Sequence, residues 1–575
     1  MSLLNKASLI QIPSGYKDGT LYSAKPTNGD GDFTFSRGSN LAATRVNSDG
    51  LIEKGRENIL YESNNFSSGY WNYRAGDSST GGQAGYDDTN DAWLLSVNNG
   101  GWSVYQNYVG TGVHTFSLYV KAGTANIIQI DLFSASTTYS GQFNLSNGTD
   151  AGGSNSIDRN IISVGGGWYR VSFAANISST LYARIGTVTQ TGNFYIQDAQ
   201  LEQGLVATDY IETTTTTEQA GILEDMPRLD YSGGATCGHL ILEPQRSNLV
   251  TNSEYYSASS WQNVGATITN NNTTSPEGKQ NATLLVGTSG SASRVQDFFG
   301  ALSGAHTYSL FIKSTGVATR LNLQTNDVGG ATFSVPASGT PTVYAEGTNI
   351  GDPFIEDYGS GWYRVGFSFT PTGGGVNNYF QIYPDSSGNI SSIYVYGAQC
   401  EAGSYPTSYI PTYGSSVTRG VDIVDGSVDS NLFNDDGGVL FVEFAALADT
   451  RDNEFRFLIS DGTNNERIQI GLQTSNTLYC SVIVSNSAVA DFTTSLASPS
   501  STHKVAIRYK SNDFAAYVDG TQIGTDTSGG TPSGLDRLDF YRTPNNNNYV
   551  EANVKQTIYF NTALTNDELA SLTTI

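Results

Sequence analysis

Arg56-Glu-Asn-Ile-Leu-Tyr-Glu-Ser-Asn-Asn-Phe-Ser-Ser-Gly-Tyr-Trp71 returns 190 residues later as Arg246-Ser-Asn-Leu-Val-Thr-Asn-Ser-Glu-Tyr-Tyr-Ser-Ala-Ser-Ser-Trp261, with Arg, Asn, Ser and Trp in register. His114-Thr-Phe-Ser-Leu-Tyr-Val-Lys121 returns as His306-Thr-Tyr-Ser-Leu-Phe-Ile-Lys313, and Gly167-Trp-Tyr-Arg-Val171 as Gly361-Trp-Tyr-Arg-Val365. Tyr195 through Thr213 (YIQDAQLEQGLVATDYIET) matches Tyr394 through Thr412 (YVYGAQCEAGSYPTSYIPT) at an offset that has grown to 199. One module is therefore used twice, and the drift belongs to connecting loops, where added residues cost little.

The repeated pieces carry the period of a strand. Phe116, Leu118 and Val120 alternate with Thr115, Ser117, Tyr119 and Lys121, and Ile128, Ile130 and Leu132 continue the alternation, which buries one face of a pleated ribbon. Turn-rich stretches such as Ser146-Asn-Gly-Thr-Asp-Ala-Gly-Gly153 separate the runs. Each copy spans about 160 to 170 residues, the size of an antiparallel jelly roll of two packed sheets.

Composition agrees with many short strands and tight turns: of 575 residues 64 are Gly and 34 Tyr, and only 14% are charged. The formal net charge of −24 argues against a nucleic-acid partner, because binding a phosphate backbone needs clustered Lys and Arg. Cys237, Cys400 and Cys480 are odd in number and far apart, so they form neither a disulfide framework nor a zinc site. No signal-peptide core opens the chain and no apolar run reaches the length of a membrane helix. The expectation is a protein made in the cytoplasm, used elsewhere, and not inserted in a membrane.

NLVTNSEYYSASSW, GWYRV and AQCEAGSYPTSYIPT resemble the carbohydrate-binding-module-like jelly rolls found in tandem in phage tail fibres and phage head-spike fibres. Residues 33–52 and 227–243 resemble the lead-in segments of that family, so the resemblance covers about residues 30–422. Beyond Thr418-Arg-Gly-Val-Asp422 the repeat stops. His503-Lys-Val-Ala-Ile-Arg-Tyr-Lys510 and Asp513-Phe-Ala-Ala-Tyr-Val-Asp-Gly-Thr-Gln-Ile523 read as consecutive strands, with Asp519-Gly520 as a turn pair that tolerates positive φ. Thr565-Asn-Asp-Glu568 is a capping-box pattern opening a short helix with Leu569 and Leu572 on one side. This last part resembles the concanavalin-A-like, laminin-G-like sandwich.

The reading is all-β: two tandem antiparallel jelly-roll β-sandwiches plus a C-terminal concanavalin-A-like β-sandwich. The divisions are 1–55, an extended lead-in; 56–215, the first jelly roll; 216–241, a linker; 242–413, the second jelly roll; and 414–575, the concanavalin-A-like domain.

Chemistry is sparse. His114, His239, His306 and His503 have no zinc-like spacing, and His114 and His306 are one position in two copies, which favours a structural role. No nucleophile motif is present, and the third module lacks a paired-carboxylate strand of the glucanase kind. The expectation is a non-enzyme. Arg170 and Arg364 are expected to pair with Glu202 and Glu401 and, with Trp168 and Trp362, to hold the fold. Trp71 and Trp261 also recur and belong to the core, whereas Trp93 and Trp102 align with Thr283 and Ala292. Those two, with Tyr86 nearby, are the candidates for stacking on a ligand. Asp87, Asp88 and Asp91 are candidate calcium ligands on a turn; no cofactor is required, and a structural Ca²⁺ is the one these loops could hold.

The resemblance implies a phage virion structural protein of the fibre, spike or capsid-decoration kind, on the virion surface, binding host-surface glycans without catalysis. Its partners would be other capsid or tail proteins and further copies of itself, as a homotrimer or other homo-oligomer. The alternative is a secreted or particle-borne glycan-binding protein associated with polysaccharide degradation.

Overall fold

The computed structural model describes residues 3–13, 15–17, 19–39, 41–134, 136–288, 293–325, 327–372, 378–387, 390–426, 429–543 and 546–575. The chain is built almost wholly of antiparallel strands, with one α-helix, Asn566–Thr573, among the described residues.

The first module is a sandwich of two six-stranded sheets. One runs, in spatial order, Asp158–Gly165, Trp168–Ile177, Gly112–Ala122, Gly192–Gln203, Ala92–Val97, Ser78–Gln83; the other Thr149–Ser154, Thr138–Asn144, Ile127–Phe133, Tyr182–Thr187, Trp102–Asn107, Asn72–Tyr73. In the middle of each sheet the neighbours are far apart in sequence, Gly112–Ala122 lying between Trp168–Ile177 and Gly192–Gln203 and Tyr182–Thr187 between Ile127–Phe133 and Trp102–Asn107, the interleaving that a jelly roll requires. The alternating residues do what their period dictates: Phe116, Leu118, Val120, Ile128, Ile130 and Leu132 all enter one core, closed by Phe66 and Trp71. The second module repeats the plan, with two six-stranded sheets around Tyr308, Leu310, Ile312, Phe367 and Trp261.

Both copies are pinned by the same buried hydrogen bonds. The Asn58 amide donates to the carbonyls of Ala199 (3.1 Å) and Ile211 (2.8 Å), and Asn248 does the same to Ala398 (3.1 Å) and Ile410 (2.9 Å). Ser63 meets the Tyr210 hydroxyl at 2.6 Å, as Ser253 meets Tyr409 at 2.6 Å. These polar groups recur because each satisfies backbone that the sheets leave unpaired.

The third module packs the sheet containing Gly437–Ala446, His503–Lys510 and Ala552–Phe560 against a five-stranded sheet that runs from Ser487–Ser495 at one edge to Arg537–Asp539 at the other. Asp519 (φ +51°) and Gly520 (φ +78°) make the expected turn. Thr565 and Glu568 close a reciprocal capping box, and the helix buries Leu569 with Leu572 packed beside it.

Two segments take part in sheets of the third module or its edge. The extended lead-in pairs twice: Leu9–Gln11 with the last strand, Leu9 opposite Tyr559, and Phe33–Arg37 with Asp422–Asp425. Within the linker, Leu229–Asp230 pairs with His239–Leu242, whose Leu240 faces Val554. Both segments complete the C-terminal sandwich. Three- and four-residue apolar runs show no period of their own, and their partners lie hundreds of residues away.

Where these segments meet, three arginines and two carboxylates are buried together. Arg37 bonds Asp422 at 3.0 Å, Arg228 bonds both Asp422 and Glu243 (2.6 Å to the latter), and Arg419 bonds Glu243 at 2.8 Å. Burial alone would push the Glu243 carboxyl up, but Arg419 and Arg228 hold it at about 2. Lead-in, linker, second module and third module are thereby tied at one point.

Candidate functional site

The second sheet of the first module has two faces. Val104, Ile128, Ile130, Leu132, Phe143, Ala183 and Ile185 fill the core, so the residues between them face outward. On that outer face Tyr105 stands opposite Arg184, Arg184 opposite Asp131, and Asp131 opposite Ser140. Arg184 Nε donates to Asp131 at 2.6 Å, Gln129 donates to the other Asp131 oxygen at 2.8 Å, and Gln142 donates to Gln129 at 3.0 Å. Burial raises the Asp131 carboxyl above its ordinary value, with Arg184 acting against the rise.

Aromatic rings frame this polar row. Trp102 meets Tyr105 edge-on at 5.5 Å, Tyr105 meets Tyr182 at 4.9 Å, and Phe133 lies nearly parallel to Tyr182 at 6.3 Å. Arg184 sits over the Phe133 ring at 4.0 Å and Arg74 over Trp102 at 5.6 Å. Trp102, Tyr105, Phe133 and Tyr182 are all half-buried. The result is a set of fixed rings flanking a guanidinium, a carboxylate and two amides, on a surface that the sheet holds rigid.

The second module keeps the face but changes its chemistry. The row Tyr105, Arg184, Asp131 becomes Gln296, Gln381, Gln324 in the matching register. Gln381 donates to Gln296 at 2.9 Å, Gln296 to Gln262 at 2.6 Å, and Arg294 lies 5.7 Å from the Tyr383 ring. The ionic row belongs to the first module.

Of the stacking candidates, Trp102 lies on this face and the other two do not. Trp93 packs against the core: its Nε1 donates to the Asn64 carbonyl at 2.8 Å, its ring meets Phe66, and a Cβ on Gly81 would come within 3.1 Å of it. Tyr86 stacks flat on Tyr119 at 3.7 Å, and its hydroxyl donates to Asp198 at 2.9 Å. Ala292, aligned with Trp102, lies outside the described residues.

Among the calcium candidates, Asp87 and Asp91 are brought together. Gln197 donates to Asp87 at 3.1 Å and to Asp91 at 2.8 Å, and Thr89 bonds both. Asp88, at φ +65°, is exposed at the corner of the loop. Among the described residues no group of three or more His, Cys, Asp or Glu is arranged to hold a metal ion.

The scaffold residues act differently from a simple ion pair. Arg170 donates to the Thr208 carbonyl, while Glu202 accepts from the Thr208 amide at 2.8 Å and hydroxyl at 2.6 Å. Trp168 and Trp362 are buried. His114 is buried against the Tyr108 hydroxyl at 2.6 Å, and burial lowers its imidazole to about 4.

A cleft of about 590 Å³ lies where the lead-in and both modules meet. On its wall the Lys54 ammonium bonds Glu254 at 3.0 Å, Glu277 at 2.5 Å and the Tyr413 hydroxyl at 2.9 Å.

Neither Arg184 with Asp131 nor Lys54 with Glu254 is expected from the sequence. For the first pair a signal existed: Gln129, Asp131 and Phe133 are the residues between the inward Ile128, Ile130 and Leu132. For the second, Glu254 and Glu277 stand at offset 190 from Asn64 and Asp87.

Residues 443–570 match the Laminin_G_3 family, described as the concanavalin A-like lectin/glucanases superfamily. A search of the curated proteins finds no match. Among solved structures, the Ruminococcus gnavus IT-sialidase CBM40 bound to α2,6-sialyllactose is 13% identical over 24% of this chain and 84% of that one, with a TM-score of 0.21. The NanB sialidase of Streptococcus pneumoniae is 14% identical over 24% of each chain, TM-score 0.21. The LG4-5 domains of the mouse laminin α1 chain are 13% identical over 46% of this chain and 85% of that one, TM-score 0.16.

Proposed function

We propose that this chain is a non-catalytic structural protein of a phage particle, of the fibre, spike or capsid-decoration kind, and that it binds host-surface glycans through the outer face of its first module. The observation that carries the glycan reading is the row of Arg184, Asp131, Gln129 and Gln142 framed by Trp102, Tyr105 and Tyr182. A sugar ring has an apolar C–H face and a rim of hydroxyls. Fixed aromatic rings meet the first, and amide and guanidinium groups meet the second, with the buried Asp131 holding Arg184 and Gln129 in place.

Neither the outer face of the first module nor the Lys54 cleft offers a free pair of carboxylates. Asp131 is held by Arg184 and Gln129, and Glu254 and Glu277 share the Lys54 ammonium, whereas glycoside hydrolysis needs an acid and a second carboxylate free to act on opposite sides of the bond. The virion half of the reading is supported by the fibre-like repeat and by a net charge of −24, which suits dense display on a surface. Partners are then other capsid or tail proteins, with a homo-oligomer as the assembled form.

Labelled antibodies against the chain test the location: decoration of capsid or tail on intact particles is expected, and staining of culture medium alone overturns it. Binding of the full chain to an array of bacterial surface glycans tests the other half.

A further inference from the structure

The outer face of the second sheet recurs in both modules, but its charges do not. In the first module the Arg184 guanidinium is neutralised by Asp131 at 2.6 Å. In the second, Leu321, Leu323, Phe380 and Ile382 fill the core, so Arg320, Asn322 and Gln324 on one strand and Gln381 and Tyr383 on the next face outward. Strand pairing fixes the counterparts. Asn322 stands opposite Thr332 and Tyr383, as Gln129 stands opposite Gln142 and Gly186. Arg320, opposite Ser334, takes the place of Ile127, opposite Asn144. An arginine and a tyrosine thus replace an isoleucine and a glycine.

Two arginine–tyrosine pairs result. The Arg320 guanidinium lies 4.0 Å from the centre of the Tyr344 ring, and that of Arg294 lies 5.7 Å from Tyr383. Tyr344 belongs to the edge strand Thr342–Glu346, where a register shift opposite Thr332 and Phe333 brings its ring to this face. The ring is 55% exposed, and Arg320 is exposed beside it. A guanidinium stacked on a ring keeps its N–H edge in the open, oriented for a planar anion. Between the two pairs, Asn322 donates to the Thr332 hydroxyl at 2.9 Å and Gln381 to Gln296 at 2.9 Å.

Among the described residues no carboxylate pairs with Arg320. The buried Asp385, two residues beyond Tyr383, accepts from the hydroxyls of Thr319 (3.2 Å) and Ser387 instead. Glu346 stands opposite the inward Ala331. In a chain of net charge −24, this face therefore presents an exposed cation without its counter-charge.

We infer that this face of the second module binds an acidic saccharide, a uronate ring whose carboxylate meets the open N–H edge of Arg320. Its hydroxyls meet Asn322, Thr332 and Gln381, and the Tyr344 and Tyr383 rings flank it. The rings and the amide row are what a simple anion or an acidic peptide would leave unused. The inference rests on the glycan reading only in taking the chain to bind saccharides; the module and the residues are different.

The test uses the full chain at low ionic strength and tetrasaccharides of galacturonate, mannuronate and glucuronate, each beside its methyl ester, read by saturation-transfer NMR. Charge pairs that face water hold a ligand weakly, so the site is read in solution and not on a washed array. At least one acid is expected to bind at least tenfold more tightly than its ester. Arg320→Gln and Tyr344→Ala are each expected to weaken it at least fivefold with the midpoint of urea unfolding unchanged. That loss in Arg320→Gln supports the inference whatever the first module does. No binding of any acid, equal binding of its ester, or equal binding by Arg320→Gln overturns it. So does displacement of the sugar by inorganic phosphate or tetraglutamate at the same concentration. Acid binding lost in Arg184→Ala and kept in Arg320→Gln also overturns it, and leaves the first-module reading standing.

Discussion

The Arg364 guanidinium and the Glu401 carboxylate do not pair with each other; they hold opposite ends of Thr407. Arg364 donates to its carbonyl at 2.7 Å, and Glu401 accepts from its amide at 2.9 Å and from its hydroxyl. Arg170, Thr208 and Glu202 repeat the arrangement. Thr407→Val removes one donor from a buried carboxylate and is expected to cost about 1–3 kcal/mol. Thr407→Ser, which keeps the hydroxyl, stays near the parent. The midpoint of urea unfolding checks both.

The five-charge cluster carries a second prediction. Arg228 is fully buried between Asp422 and Glu243. Arg228→Met takes one charged hydrogen-bond donor from each carboxylate, leaving Asp422 to Arg37 and Glu243 to Arg419, and is expected to cost about 1.5–3 kcal/mol. Because Arg37 and Asp422 pair in adjoining strands, amide exchange in Phe33–Arg37 and Asp422–Asp425 rises in the same variant. Unchanged exchange there would show that the lead-in is held by its strand pairing alone.

Much of this architecture is legible in the sequence. Two copies of one module expose its fixed points, which is why Trp168, Trp362, Glu202 and Glu401 fall in the scaffold. Asp519-Gly520 and Thr565 with Glu568 are local signals whose chemistry lies within a few residues. The pairing of Leu9–Gln11 with the last strand was not legible, because a three-residue ribbon does not name its partner. Trp93 and Trp102 looked alike in sequence. A register shift between Ala92 and Leu94 breaks the alternation that would have separated them. Arg184 and Asp131 were hidden because the period of two was read only for its apolar residues.

That difference between the two tryptophans is measurable. Trp93→Ala empties a site walled by Phe66 and Gly81 and is expected to cost about 2 kcal/mol. Trp102→Ala changes stability by less than about 1 kcal/mol. Thermal unfolding of the two variants side by side decides whether Trp102 belongs to the surface or the core.

His114 supplies a pH prediction. Its imidazole falls from an ordinary value of 6.5 to about 4 through burial, so the folded state resists a proton that the unfolded chain accepts. The stabilisation is whole above pH 6.5 and is lost as pH falls through 4, on the order of 3 kcal/mol in all. In His114→Gln the loss of stability between pH 6.5 and 4 is expected to be shallower by about that amount, as read by urea midpoints across the range.

Glycan-array binding by the full chain, compared with its Trp102→Ala and Arg184→Ala variants, tests the central claim. The account predicts a defined set of surface glycans retained by the parent and lost at least tenfold in both variants, with the fold intact. Binding that survives both substitutions, or a parent that retains no glycan, contradicts it.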